Sequence, residues 1–407
     1  MKPSVLYIAQ GKINLLEPGR PARVIESKFA QSVIDRAAQI QQLNAWKTQG
    51  TGAKFMSGRM LWGGDPEDPT AIPMAVTGIS CGPCSGELVY SMATHEITGV
   101  FALRNQATEE QRLFHTADFR IGQLSAHPQD DRIACVVLGR GLSNIAAMRG
   151  DGSELTELTQ GDSLDRAPSW VPGSPSELLY QSSGVARDQQ GNNMGVSPAR
   201  IERLNLDSGE ITTLLADERY DYLEPHMDSD GNLYCIRKPS ASMSRKFRPL
   251  RALLDLILLP LRILYALFQY LNFFTVRYTG NPLVSSGDAR QKRADLRQMM
   301  LLGNIMQAQR EAEGLFEREK DGLVAKTWEL VKKRPQGDAQ VLERAVLSFD
   351  ICGGGSIVYT DGSRILFLHA DGSKETLGKD QFISQVLAVP ELEPAPVPVQ
   401  AANLTPK

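Results

Sequence analysis

The sequence predicts an all-β protein, a six-bladed β-propeller closed by strands from the N- and C-termini, with an α-helical insertion in blade 4. Three observations carry this prediction. Short apolar runs of strand length alternate with turns rich in Asp and Gly. The runs recur in groups of four with a period of roughly 40 to 50 residues, which is the length of a propeller blade. A pattern of three strands near the C-terminus is repeated at the N-terminus.

The repeated pattern occupies Ser356–Leu377 and, in its second copy, Ser4–Ser27. In the first copy, Asp361-Gly362 and Asp371-Gly372 separate β-forming runs, and Asp-Gly in that position is a strong signal of a β-hairpin. The N-terminal copy has three strands and no inner strand, while Phe382–Val389 is one strand without partners. The two termini are therefore expected to share blade 6, which removes the exposed edges of an open array.

The remaining strand candidates fill the other five blades. Their expected bounds are about 76–117 for blade 1, 118–160 for blade 2, 164–216 for blade 3, 222–239 with 327–333 and 341–344 for blade 4, and 346–377 for blade 5. The chain thus divides into N-terminal strands closing the last blade (1–27), a helix and loop (28–75), blades 1 to 4 (76–239), the insertion (240–326), the remaining blade strands (327–389) and a proline-rich tail expected to be disordered (390–407).

Three segments share the order of an inner strand, a tight turn and an apolar second strand. They are APSWVP at 167–172 followed by ELLY at 177–180, SAHPQDDRIA at 125–134, and EPHMDSDGNLY at 224–234. These segments resemble the repeat of TolB-like β-propellers, although only Trp170 keeps the tryptophan and only Asp230-Gly231 keeps the turn of that repeat. The resemblance implies six blades and a protein that binds proteins or peptides rather than catalysing a reaction.

The composition of the 407 residues, 42% hydrophobic and 22% charged, is that of a globular protein with a sizeable core. The formal net charge of −3 argues against nucleic acid as a partner of the whole molecule. No apolar stretch of signal-peptide length precedes Gly11, so a cytoplasmic location is expected. Five cysteines, an odd number, do not suggest a secreted disulfide framework.

The insertion contains an apolar segment, residues 247–278, with basic residues on both sides. At 100° per residue, its polar side chains Arg251, Asp255, Arg262 and Gln269 fall within roughly 40° of one another, so they form one stripe. An apolar helix with a polar stripe and basic flanks is typical of attachment to an anionic membrane surface. We therefore expect peripheral attachment at the inner face of the membrane.

The residues expected to contact the membrane or a partner are Phe247, Arg248, Arg251, Leu254, Leu258, Leu261, Leu264, Phe268, Phe273 and Phe274. Two alternatives stay open at this point. The helix could pack on the propeller or on a partner subunit instead of a membrane. It could also span the bilayer, although Asp255 and Arg262 would each cost about 2.5 to 3.5 kcal/mol at its centre.

The motif Cys81-Gly82-Pro83-Cys84 has the spacing of a thioredoxin-type redox site. A strand follows it where such a site requires a helix, which favours a turn, and a redox role stays an open alternative. The other cysteines lie in separate blades without paired spacing, and the five histidines show no ligand spacing. No metal, cofactor or catalytic residue is therefore predicted.

His127 and His226 occupy equivalent repeat positions near the inner strands, and with Trp170 they are candidates to face the central channel, although a structural role is favoured for the histidines. The sequence as a whole favours a non-enzymatic scaffold that binds a protein partner, with no nucleic acid and no small-molecule substrate identified. The alternative is a propeller hydrolase that uses His127, His226 or Asp228 in the channel.

Overall fold

The computed structural model describes residues 2–33, 35–36, 74–82, 86–94, 97–104, 109–139, 141–188, 190, 193–240 and 323–389, and within them it confirms an all-β propeller. The strands, in chain order, are β1 Ser4–Ala9, β2 Lys12–Leu16, β3 Arg23–Ile25, β4 Ala75–Cys81, β5 Leu88–Ala93, β6 Thr98–Arg104, β7 Glu109–Thr116, β8 Arg120–Ala126, β9 Arg132–Gly139, β10 Leu142–Arg149, β11 Thr156–Glu157, β12 Ser163–Trp170, β13 Glu177–Arg187, β14 Asn193–Val196, β15 Arg200–Asn205, β16 Ile211–Leu215, β17 Tyr220–Met227, β18 Leu233–Pro239, β19 Glu329–Lys333, β20 Ala339–Arg344, β21 Ser348–Ile351, β22 Ile357–Thr360, β23 Arg364–Leu368, β24 Lys374–Lys379 and β25 Ile383–Val389.

The strands form six blades of antiparallel neighbours. Blade 1 is β4–β7, blade 2 is β8–β11, blade 3 is β12, β13, β15 and β16, blade 4 is β17–β20, blade 5 is β21–β24, and blade 6 is β25 with β1–β3. The first strands of successive blades contact one another, so they surround a common central channel. A parallel pair between Ser143 and Leu164 also joins the third strand of blade 2 to the innermost strand of blade 3.

Blade 6 combines both ends of the chain, as predicted. Strand β25 pairs with β1 from Ser4 opposite Val389 to Ala9 opposite Ile383. The repeated stretch near the C-terminus supplies the three outer strands of blade 5, and its first hairpin turns at Gly362, whose φ of +92° is left-handed. Glycine adopts that conformation without steric cost, which explains why the Asp-Gly signal is reliable there.

The burial pattern explains why the sequence indicates where strands lie but not which side of each strand is buried. The second strand of a blade is covered on both sides by neighbouring blades, so β5 and β22 are buried along their whole length. Outermost strands such as β20 are largely exposed. The core therefore consists of apolar clusters between blades, for example Trp328 with Tyr234 and Phe349 between blades 4 and 5.

Blade 3 has a feature that the sequence did not predict. Strand β13 continues to Arg187, beyond the first residue of β12, and pairs with the extra strand β14 in a protruding hairpin. Elsewhere a helix begins at Lys28, where the Ser27 hydroxyl accepts the N–H of Ala30 at 3.0 Å and caps it. A 3₁₀ turn occupies Gly353–Gly355.

The helical insertion and all ten residues expected to contact a membrane lie outside the described residues, as do Cys84 and the tail 390–407. Among the residues that are described, no helix has the length and apolar character needed to cross a membrane.

We define the top face as the side of the disc where the six innermost strands begin, at Ala75, Arg120, Ser163, Tyr220, Ser348 and Ile383. Three long segments that depart from the four-stranded pattern leave or rejoin the blades on this face. The connection from blade 6 to blade 1 returns at Met74, the β13–β14 hairpin extends beyond Ser163, and the chain leaves blade 4 at Ser240 and returns at Leu323. The described ends of these long departures from the four-stranded blades, and the β13–β14 hairpin, therefore lie on the top face.

Candidate functional site: the channel and the top face

A ring of side chains links each blade to the next around the channel. Its members are Thr77, Gln123, Gln181, Glu224, Asp350 and Gln385, and we call them the inter-blade belt. Five of the six links are Thr77 Oγ1 to Ile121 O (3.0 Å), Ala167 N to Gln123 Oε1 (3.0 Å), Glu224 N to Gln181 Oε1 (3.0 Å), Ala388 N to Asp350 Oδ2 (2.8 Å) and Ile79 N to Gln385 Oε1 (3.2 Å).

Glu224 completes the belt, because its carboxyl group lies against the Ser348 hydroxyl and the Phe349 N–H of blade 5, and these contacts favour its charged form. Gln385 makes a second bond, from Nε2 to Ile79 O at 3.0 Å. Side chains that bond the backbone of a neighbouring strand satisfy groups that no sheet ladder reaches at a blade junction. The belt therefore holds successive blades in register with one another, from the innermost strand in five blades and from the second strand, β13, in blade 3.

Three innermost strands are strained at the belt. Gln123, Ala167 and Glu224 have φ values of 37°, 50° and 48°, and each lies at a bulge where the register to the second strand shifts. Left-handed backbone at residues other than glycine costs of order 1–3 kcal/mol and persists only where surrounding contacts hold it. Here the same three residues take part in the belt bonds, so strain and inter-blade linkage coincide.

Burial shifts the pKa values of the belt carboxyl groups upward. It raises the pKa of Glu224 to about 8, and the neighbouring Asp350 adds to the rise while the bonds from blade 5 oppose it. Burial likewise raises the pKa of Asp350 to about 6 against the bonds from two backbone N–H groups. Both groups therefore hold a proton more readily than exposed carboxyls do.

His127 and Trp170 meet between blades 2 and 3. Their rings lie 4.8 Å apart in an edge-to-face arrangement, and Trp170 Nε1 donates to Ser125 O at 2.9 Å. The buried His127 accepts the N–H of Gln129 at Nδ1 (3.1 Å), and its Nε2 lies 3.4 Å from Ser174 O. Both rings are thus engaged in contacts that join the two blades.

His226 lies at a different junction, between blades 4 and 5, where its ring packs edge-on against Phe349 at 5.1 Å. Burial lowers its pKa to about 4, which keeps the ring neutral. His226 follows the bulged Glu224 by two residues, whereas His127 follows the bulged Gln123 by four. The two histidines therefore do not occupy equivalent positions, and blade 3 separates them.

Asp228 organises the turn after β17. Its carboxylate accepts bonds from the N–H groups of Asp230 and Asn232 and from the Tyr234 hydroxyl, and Lys332 lies 3.8 Å away. These contacts are those of a turn rather than of a reactive acid.

Cys81 lies at the end of β4, and burial together with Asp350 raises its thiol pKa to about 12. That shift is opposite to the one that activates a redox cysteine. Within the part of the chain that the structure describes, no group of three His, Cys, Asp or Glu side chains is placed to hold a metal ion.

A residue that the sequence prediction missed is Arg166, on the innermost strand β12. It lines a cavity of about 310 Å³ between blades 2 and 3, together with Leu138, Gly139, Gly141, Leu142 and Leu164. One signal could have revealed it. Arg166 directly precedes the left-handed residue of β12. The equivalent positions in the other two strained strands, β8 and β17, hold the uncharged residues Gly122 and Leu223, so a charged side chain there departs from the repeat.

No family model matches the sequence, and no curated protein matches it. The fold resembles TolB from Acinetobacter baumannii, with a TM-score of 0.50 and 10% identity over 96% of this chain and 67% of that one. It is also similar to a chain of a nidogen/laminin complex (TM-score 0.49, 10% identity, 95% and 97% of the chains) and to a puromycin hydrolase (0.30, 16%, 40% and 25%). The chain has the fold of a TolB-like β-propeller.

Proposed function

We propose that the protein is a non-enzymatic propeller scaffold that binds a protein partner through its top face and attaches peripherally to the inner face of a membrane through residues 247–278. The observation that carries the proposal is that the long segments that depart from the four-stranded pattern leave or rejoin the propeller on the same face. In repeat folds, segments that depart from the repeat commonly gather on the binding face.

Exposed apolar side chains support this choice of face. Seven large hydrophobic side chains are exposed within the described residues, and they fall into two groups. Val24, Ile211 and Val341 lie on outermost strands. Ile97 (42% exposed), Met194 (70%), Val196 (47%) and Phe382 (37%) lie in turns and in the hairpin of the top face. Apolar groups left in water on one side favour a surface that a partner covers.

Phe382 adds a second indication. It stands at the start of β25, beside the mouth of the channel, with a φ of 56°. A bulky residue in the left-handed region is strained, and strain of this kind tends to gather at functional positions. The next residue is held in place, because Ile383 N donates to Gly362 O at 2.8 Å.

The membrane part of the proposal rests on the sequence of 247–278. The described residues on either side of the insertion show on which face of the propeller the chain leaves and returns. Ser240 N donates to Arg219 O at 2.9 Å, and Leu323 N donates to Asp361 O at 3.0 Å, both on the top face. Membrane and partner would therefore be approached from the same side of the disc.

The hydrolase alternative receives no comparable support. The described contacts of His127, His226 and Asp228 join blades or close a turn, so the scaffold remains the proposed function.

Photo-crosslinking in the native host tests the binding face. A benzophenone amino acid placed at Met194 or Ile97 is expected to give discrete protein adducts. The matched controls are Ile211 and Val24, which are also exposed and apolar but lie on outermost strands. Adducts of equal yield at all four positions, or none at the top face, would refute the proposed face.

Vesicle flotation tests the attachment. The full chain is expected to float with vesicles of phosphatidylglycerol and not with phosphatidylcholine, and added salt should weaken the association because basic flanks drive it. A variant in which a Gly-Ser turn replaces 241–322 should stay at the bottom of the gradient. The attachment idea fails if both proteins float alike or if neither does.

A further inference from the structure

We propose that the Arg166 cavity receives the C-terminal carboxylate of a peptide whose last residue is apolar. The inference rests on the proposed function, because it names the chemistry of the partner that the top face would bind.

The cavity lies at the top face in the groove between blades 2 and 3. Gly139 and Gly141 line its outer side, and its apolar walls are Leu138, Leu142 and Leu164. Apart from the chain neighbours, no described atom lies within 4 Å of the position that a side chain on Gly139 or Gly141 would take, so the described part of the rim leaves room for an approaching chain. A volume of about 310 Å³ is at the small end of ligand pockets and suits one or two residues.

Arg166 supplies a positive charge that the protein leaves without a counterion. Its Nε is closed to solvent and has no hydrogen-bond partner among the described residues, and no ion pair involving Arg166 is formed there. Burial also lowers the pKa of the guanidinium, with no acid acting to raise it. A partly buried cation without a partner is costly, and a ligand carboxylate would remove that cost by pairing with it.

Two buried acids of blade 3 have partners other than Arg166. Asp165, the preceding residue, accepts the Ser182 hydroxyl at 2.7 Å. Glu202, on β15, forms an ion pair with Arg200. Neither carboxylate forms an ion pair with Arg166, so its positive charge stays available to an external anion.

The apolar walls decide which carboxylate fits. A phosphate or sulfate would leave the three leucines without contact. A peptide C-terminus places a carboxylate directly beside an apolar side chain, so one residue can fill the leucine-lined space and meet the guanidinium. An internal Glu or Asp would have to bring further backbone polar groups against the leucines, which is unfavourable.

Fluorescence polarisation with labelled hexapeptides tests the assignment. The probes are Gly-Ser-Gly-Ser-Val-Leu with a free carboxylate, the same peptide as its C-terminal amide, and N-acetyl-leucine as an unlabelled competitor. The acid is expected to bind at least about tenfold more tightly than the amide, because a bond between charged groups is lost in the amide. Arg166→Gln should abolish that preference, whereas Arg112→Gln, on the outermost strand of blade 1, should retain it.

Thermal unfolding separates a binding role of Arg166 from a purely structural one, because the two roles predict opposite changes in the unfolding midpoint. Arg166→Met replaces an unpaired guanidinium by an apolar side chain of similar length and is expected to raise the midpoint by about 2 °C. A lowered midpoint would mean that Arg166 stabilises the fold, and the assignment would be overturned.

Three binding results would also overturn it: equal affinity for acid and amide, an unchanged preference in Arg166→Gln, or no binding of the acid up to about 1 mM. Competition by N-acetyl-leucine with the same affinity as the hexapeptide would assign the cavity to a free organic acid and refute the peptide. The crosslinking at Met194 separates the two proposals. Adducts that persist in Arg166→Gln while the peptides fail would leave the scaffold standing and remove only this inference.

Discussion

At the scale of the residue, Glu224 combines three properties that rarely occur together. Its backbone is left-handed, its N–H is bound by Gln181, and its carboxyl group reaches blade 5. Burial makes the protonated form favourable, and its pKa rises from 4.5 to about 8. One side chain therefore couples the junction between blades 4 and 5 to pH.

The coupling has a definite sign. The folded state holds the Glu224 proton more tightly than the unfolded state, so this contribution to stability is full below pH 4.5 and is lost as pH rises through about 8. Asp350 acts in the same direction up to about pH 6, and His226 acts oppositely, with stability lost as pH falls from 6.5 towards 4.

Glu224→Gln should therefore flatten the fall in thermal midpoint between pH 6 and 8. Glu109→Gln, an exposed change on β7, should leave the wild-type slope, and an equally steep slope in Glu224→Gln would contradict the assignment.

Gly152 offers a second test at this scale. Its φ is +86°, and a side chain there would place Cβ 2.2 Å from the carbonyl oxygen of Leu113 in blade 1. Gly209 has a similar φ of +70° but faces open space. Gly209→Ala should cost about 1 to 2 kcal/mol for the left-handed backbone alone. Gly152→Ala should cost about 1 to 3 kcal/mol more, because the two backbones must separate. Denaturant unfolding measures both, and equal losses would mean that blades 1 and 2 yield easily at this contact.

At the scale of the element, the belt connects the blades mainly through their innermost strands, with Gln181 on the second strand of blade 3 as the exception. Each has one edge in a blade and faces the channel with the other, so most of its bonds to the next blade come from side chains, with the backbone pair of Ser143 and Leu164 as an exception. The belt uses amides and carboxyl groups on strands that otherwise read as apolar. This mixture explains why inner strands are harder to recognise in the sequence than the strands that follow them.

The number of belt bonds predicts the cost of breaking each link. Gln385→Ala removes two bonds to Ile79, and Gln181→Ala removes one bond to Glu224. At about 1 kcal/mol for each bond, the losses should be about 2 and about 1 kcal/mol in chemical unfolding. Gln381→Ala, exposed just before β25, serves as the control and should change little. If Gln385→Ala costs no more than this control, the belt does not stabilise the ring.

At the scale of the whole molecule, closure depends on β25. This strand pairs with β1, bonds to blade 1 through Gln385, and bonds to blade 5 through the N–H of Ala388. Three blades therefore meet in seven residues. The loss of this strand would open the ring and expose edges that closure removes.

Truncation tests the closure. A chain that ends after Asp380 should lose amide protection from exchange in β4 and β21 as well as in β1, because all three contact β25. A chain that ends after Val389 keeps the strand and should retain the protection of the full protein. Loss confined to β1 in the shorter chain would show that the blades are independent of closure.

Much of the propeller could be predicted because its signals are local. The turns at Asp361-Gly362 and Asp371-Gly372 and the apolar runs beside them specify hairpins within a few residues. The sharing of blade 6 also followed from a local repeat, since one set of outer strands lacked an inner strand. The hairpin formed by β14 was missed because Asn193–Val196 is short and Met194 and Val196 are exposed, so no buried alternation marks it.

The candidate site was less predictable. His127, Trp170 and His226 were chosen by repeat position, and the structure places the first two together between blades 2 and 3 and the third at another junction. Arg166 was not chosen at all. Arg166 became a candidate because it has no partner within the described blades. Whether a side chain has a partner depends on residues far apart in the chain, so the sequence does not reveal it.

The sequence by itself determined the fold class, the blade strands and the meeting of the two termini, because hydrogen-bonded hairpins arise from turn chemistry and apolar runs that neighbouring residues supply. Only the tertiary structure decided which side chains meet across blades: the belt that links the innermost strands, the raised pKa of Glu224, and the unpaired Arg166 beside three leucines. Those properties depend on burial and on distances between blades, and both exist only once the ring has closed.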